Sequence, residues 1–340
     1  MRNGATWVRH GVASVAVSVS AVLVLAGCGG GDATGSSGRP VVVATTPILG
    51  DIVSSTLGDA AEVVVLMPRG VDPHAFEPSA RQLGELRDAS LVVANGLGLE
   101  RGLQDALDAA AADGANVLEL APLLDPIVFA DAHDHGHDEA EHDGAEHDDG
   151  DAHDDGDAHE HGDLDPHVWF DPSRMAVAVG LIADAFVDAA PDADGDAVLA
   201  TAGAYAAELR ALDAEVEETL AVVPDGQRIL VTNHDTFGYM ADRYGFEVLG
   251  VVIPGGDTLA APSASALDAL ADEIARHGVR AVFTDEGVSS DLARALAGEV
   301  GGDVQVVALF TDTLGALDGP SGTYVDLIRT DARRIADALG

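Results

Sequence analysis

The 340-residue chain has no lysine: all 17 of its basic residues are arginine, set against 59 acids, for a formal charge of −42 at pH 7. A chain so acidic offers no footprint to a polyanion, which excludes nucleic acid as a partner. Cysteine is nearly absent as well. Cys28 is the single one, so neither a disulfide nor a thiolate-rich metal site can form within the chain. The apolar stretch from Gly11 to Leu25 is too short, and too closely followed by Gly and Ser, to span a membrane. Neither a G-x-S-x-G elbow nor an H-E-x-x-H helix occurs, which leaves a hydrolase reading without its usual motifs.

What is present suffices for two domains with real cores, given the length and a hydrophobic content of 47%. Arg2 and Arg9 precede the apolar stretch, which closes in Leu25-Ala26-Gly27-Cys28. That order of charge, apolar run and small residues is a signal segment, residues 1–27, with His10 inside it. Its end resembles the bacterial lipobox, which implies a lipid on Cys28 and a position on the extracytoplasmic face of the cell membrane. Residues 28–39 then form a flexible Gly/Ser tether.

From Val41 onward short β-branched runs alternate with helical stretches. Strands are expected over 41–45, 61–67, 91–95 and 116–120, with helices over 48–57, 99–112 and from Ser79, placed as a cap, to Asp88. Two helices follow, over 173–190 and 194–223, the second about 45 Å long at 1.5 Å per residue. The alternation restarts with strands over 228–233, 247–253, 281–285 and 304–310, helices over 236–244, 263–277 and 289–297, and a closing helix over 324–339. The fold class is therefore α/β: two similar lobes with parallel sheets, residues 40–172 and 225–340, joined by a helical connector over 173–224.

Between the fourth strand and the connector, residues 131–163 hold eight His and fifteen carboxylates with no base. Such a composition cannot build a core, so this loop is expected to be disordered. Removing it still leaves −42 + 15 = −27, so the folded body is acidic too. A solvated Ala- and Asp-rich surface accounts for that remainder, with local concentration of cations as the second reading. His133, His135, His137, His142, His147, His153, His159 and His161 read as weak, auxiliary metal ligands, or else as part of an inert insertion.

Of the remaining His, His277 precedes Gly278 at a helix end, where a cation suits the dipole. His74, His167 and His234 fall in loops beside strand ends or helix starts, where open α/β sheets place ligands. Two of them share an Asp-Pro-His context, in which proline fixes the backbone and pre-orients the imidazole.

Val71-Asp72-Pro73-His74, Asp165-Pro166-His167-Val168-Trp169-Phe170-Asp171-Pro172 and His234-Asp235-Thr236-Phe237-Gly238-Tyr239 resemble the three signature blocks of the zinc/manganese solute-binding proteins of ABC importers. Phe310-Thr311-Asp312-Thr313-Leu314-Gly315 resembles the block that supplies that family's acidic ligand. The resemblance runs from about Val41 to Gly340, with the blocks in the family's order. It implies a metal in the inter-lobe cleft, held by His74, His167, His234 and Asp312, and a monomer that works with an ABC permease and its ATPase. It also implies a binding protein and no enzyme. In manganese members a carboxylate typically stands at the position of His234, so imidazole there points to Zn2+ as the transported ligand. A manganese-specific member is the alternative, followed by a zinc store or adhesin and a zinc hydrolase. Asp72, Asp165, Asp235 and Glu286 are candidates to orient the imidazoles.

Overall fold

A computed structural model describes residues 38–129, 164–253, 258, 261–301 and 304–340. Residues 39–340 form one compact unit. Its first sheet is built from β1 (Val41–Ala44), β2 (Glu62–Val65), β3 (Leu91–Ala94) and β4 (Val117–Glu119), all parallel, in the order β2-β1-β3-β4. Val43 lies opposite Val64 on one side and Val92 on the other. The middle strands β1 and β3 are buried along nearly their whole length, which is why they read as unbroken Val, Leu and Ala.

Local chemistry sets the helix starts. Thr46 caps α1 (Pro47–Leu57), its side chain accepting from Leu49 N at 3.2 Å, with Pro47 in the first turn, where no N–H is needed. Ser79 and Gln82 form a reciprocal capping box on α2 (Ala80–Asp88). The helix expected from Leu99 starts later. Glu100 is buried and accepts from Asn95 N, Gly96 N and the Thr45 hydroxyl, bending the chain through a left-handed loop in which Leu97 has φ +53°. A 3-10 turn at Arg101–Leu103 then leads into α3 (Gln104–Ala112). Burial raises the Glu100 carboxyl above its ordinary value.

α4 (Pro172–Ala189) packs against α5 (Gly195–Leu220), which at 26 residues and 1.5 Å per residue is about 39 Å long. It ends three residues short of the expected Val223. Leu209, Leu212, Val216 and Leu220 face one apolar cluster that runs from Val42 in the first lobe to Leu339 in the last helix. Asp213 on the same helix pairs with Arg243 Nε at 2.9 Å and accepts from the Tyr244 hydroxyl at 3.0 Å. The connector is thus bonded to the second lobe as well as packed on it.

That lobe holds β5 (Ile229–Thr232), α6 (Gly238–Tyr244), β6 (Glu247–Val251), α7 (Ala264–His277), β7 (Ala281–Asp285), α8 (Asp291–Val300), β8 (Gln305–Leu309) and α9 (Tyr324–Leu339). β5 pairs with β6 and β7 with β8, both in parallel, and β5 lies beside β7. His277 is the last residue of α7, and Gly278, at φ +63°, closes it. Among the described residues no helix is long and apolar enough to cross a membrane. The signal segment, Cys28, most of the tether and the His-rich run lie outside the described residues.

Candidate metal centre

Four side chains far apart in sequence meet between the lobes. One ligand atom each from His74, His167, His234 and Asp312 lies within 4.8 Å of all the others. His74 Nε2 and His167 Nε2 are 3.3 Å apart, His234 Nε2 and Asp312 Oδ2 3.4 Å, and His167 Nε2 and Asp312 Oδ1 3.8 Å. His167 and His234 are fully buried, and His74 and Asp312 nearly so.

The two Asp-Pro-His tripeptides fold alike. In each, Asp Oδ1 accepts the His backbone N–H, at 2.9 Å for Asp72 and His74 and 2.8 Å for Asp165 and His167. They differ beyond that point. Asp165 Oδ1 also meets the His167 ring at Nδ1, 2.7 Å away, so the tautomer that leaves Nε2 free is fixed. Asp165 and the proline after it are held from three sides: the Asp165 N–H donates to Ile127 O at 2.8 Å, the Tyr239 hydroxyl donates to the Asp165 carbonyl at 2.8 Å, and Asn95 Nδ2 donates to Pro166 O at 2.9 Å. Gly238 completes the fit. A Cβ there would stand 2.5 Å from Asp165 Oδ2. Asp72 turns its other oxygen outward and leaves the His74 ring alone, so His74 Nδ1 is buried without a hydrogen-bond partner.

His234 follows the end of β5, and its Nδ1 lies 3.2 Å from Asp285 Oδ2, which also accepts from Asn233 Nδ2 at 2.6 Å. Asp285 was not among the expected orienting acids. Glu286 was, but it turns away to pair with Arg334 at 3.0 Å, because the side chain one residue past β7 points off the strand end. The last residue of a strand whose neighbours β5 and β8 also end at the site was the signal to follow. Asp235 is buried beside His234. Asp312 follows β8; Phe310 N donates to Asp331 Oδ1 at 3.1 Å, and Trp169 Nε1 donates to Thr311 O at 3.0 Å, fixing the loop on both sides.

The charges divide unevenly. Burial, reinforced by His167, lowers the His74 imidazole to about 4, so it is neutral at physiological pH. Burial pulls His234 the same way, but Asp312 and Asp285 outweigh it and hold that imidazole well above its ordinary value. Burial opposes ionisation of Asp312, and the facing imidazoles, His234 first, overcome it and keep the carboxyl well below the usual range. The site therefore sets an ionised carboxylate against His234, with a neutral imidazole beside them. His234 Nε2 and Asp312 Oδ1 are both buried without a hydrogen-bond partner.

The family profile described as "ZnuA: Zinc-uptake complex component A periplasmic" matches residues 42–338. The chain belongs to this family of zinc/manganese solute-binding proteins of ABC importers. It is similar to the manganese-binding lipoprotein MntA of Halalkalibacterium halodurans, 26% identical over 319 residues that cover 93% of this chain and 95% of that protein. It is also similar to the zinc-binding protein TroA of Treponema pallidum, 27% identical over 310 residues, 89% of this chain and 90% of that one. The solved structure of the periplasmic zinc-binding TroA superposes with a TM-score of 0.73 over 89% of this chain and all of that one. The family fold of two α/β lobes joined by a long helix is the fold described above.

Proposed function

We infer that this chain captures Zn2+ outside the cytoplasmic membrane and hands it to an ABC permease, with His74, His167, His234 and Asp312 as the ligands. The observation that carries the reading is the spacing of those four side chains. Ligands at about 2.0–2.2 Å around a tetrahedral zinc stand roughly 3.3–3.6 Å from one another. Two of the contacts quoted above lie at 3.3 and 3.4 Å, with the third at 3.8 Å. Three imidazoles and one carboxylate are also a borderline-soft set, better matched to zinc than to manganese. With Asp312 at the fourth corner no position remains for an activated water, so the site holds its metal without reacting.

Around this site we place a lipid on Cys28 as the anchor, residues 28–39 as the tether, and residues 173–224 as the connector between lobes 40–172 and 225–340. The protein works as a monomer that presents its cleft to the permease. The run from His133 to His161 is an auxiliary collector, whose scattered imidazoles and carboxylates bind several ions weakly. Zinc titration by calorimetry tests both assignments together. The full chain shows one tight site and further weak ones, and deletion of residues 131–161 removes the weak ones alone. Loss of the tight site in the deletion would move the site into the run.

A further inference from the structure

The contacts that join the lobes around the four ligands fall into two sets of opposite character. Behind the site they are buried: Trp169 Nε1 donates to Thr311 O at 3.0 Å, and the Tyr324 hydroxyl donates to Trp169 O at 2.7 Å. The Tyr239 hydroxyl, also buried, donates to Asp165 O at 2.8 Å. In front they reach the surface. Arg69 Nη1 donates to Gly315 O at 2.7 Å, Gly70 N donates to Thr313 Oγ1 at 3.0 Å, and Thr258 Oγ1 donates to Asp72 Oδ2 at 2.5 Å, the second exposed and the other two part-buried. These front bonds tie the segment leading to His74 onto the second lobe, two of them to the loop that carries Asp312. A cavity of about 480 Å3 runs along the seam, lined by Gly70, Val71, Asp72, Asp312, Thr313 and Leu314.

Breaking a buried hydrogen bond strands a donor and an acceptor, whereas water replaces an exposed one at little cost, so opening starts in front. The ligands share this asymmetry. His167 and His234 each have a carboxylate at Nδ1, and His74 has none. Its ring touches only the other two imidazoles, His167 Nε2 at 3.3 Å and the His234 ring at a centroid distance of 5.9 Å, and no carboxylate fixes it, while the turn that carries it is held by the front bonds.

We propose that the metal enters and leaves through this seam, that His74 is the ligand that lets go, and that Arg69 and Thr313 are positioning residues that hold it closed. This rests on the four-ligand zinc reading above. The test is stopped-flow release of Zn2+ from the loaded full chain into excess chelator, with association measured in parallel. Arg69→Met combined with Thr313→Val releases zinc about tenfold faster, the scale of losing exposed hydrogen bonds, while association changes by less than about twofold. Thr313→Ser, which keeps the hydroxyl, releases at the wild-type rate, as does Tyr324→Phe, which removes a bond behind the site. Wild-type release from the double variant, or equal acceleration in Tyr324→Phe, overturns the proposal. A wild-type chain with no tight zinc site overturns the functional reading beneath it, whereas tight binding with unchanged release overturns the seam alone.

Discussion

Asp312→Ala binds zinc more than about 100-fold more weakly than the wild type. Losing a group that merely orients a ligand costs about 10–100-fold, and Asp312 is proposed as a ligand and the only charged one. The same substitution changes the proton count. In the metal-free chain Asp312 and Asp285 hold His234 protonated at neutral pH, and an imidazolium cannot bind metal. Zinc must therefore expel about one proton from the wild type, and its apparent affinity falls as pH is lowered and the proton competes harder. His74 adds nothing to that slope near neutrality, because burial already keeps it neutral. Without Asp312, His234 loses its chief electrostatic partner and fewer protons are released. Calorimetry in two buffers of different ionisation enthalpy reads affinity and proton release together. Unchanged affinity would mean that another group is the fourth ligand.

Zinc is also expected to stabilise the folded chain strongly. At a free concentration about a thousand times Kd, linkage adds about 4 kcal/mol to the folded state. At about 2 °C per kcal/mol for a large domain, thermal unfolding should move up by roughly 8 °C. The physical source is local. The metal-free site keeps His234 Nε2 and Asp312 Oδ1 buried without hydrogen bonds and brings four polar side chains together from two lobes. An ion at their centre joins those lobes directly. His167→Ala removes one of the two fully buried proposed ligands, leaves Asp165 buried without its imidazole, and is expected to abolish the zinc-dependent shift. A shift in the wild type no larger than Mg2+ produces would contradict a site of this strength.

Much of this was legible in the residues because local chemistry and tertiary structure agree. Val41–Ala44 and Ala281–Asp285 read as strands because burial on both faces demands β-branched or small apolar side chains. Ser79 announced α2 because a capping box is a local interaction. The repeated Asp-Pro-His predicted pre-oriented imidazoles, and in both tripeptides the Asp side chain accepts the His backbone N–H. Asp165 and Asp72 were both candidates to orient an imidazole, but that Asp165 alone reaches its ring could not be read, since this depends on Tyr239, Asn95 and Gly238 closing around it. Glu286 was named and Asp285 was not, although the strand was placed at 281–285 as found, because spacing alone does not say which of two adjacent acids at a strand end faces the cleft. The late start of α3 came from Glu100 turning inward to three donors, an inversion of what a carboxylate usually does. The seam was invisible for a simpler reason: Arg69 and Gly315 are 246 residues apart.

The central claim, that His234 makes this a zinc site, is tested most directly by competing Zn2+ against Mn2+ on the wild type and on His234→Glu. Imidazole favours zinc over manganese, and carboxylate is the harder ligand, better suited to manganese. Zn2+ should displace Mn2+ from the wild type, and the variant should narrow that margin by about tenfold or more, through weaker zinc binding, stronger manganese binding or both. A wild type that holds Mn2+ against Zn2+, or a margin that His234→Glu leaves unchanged, would contradict the account.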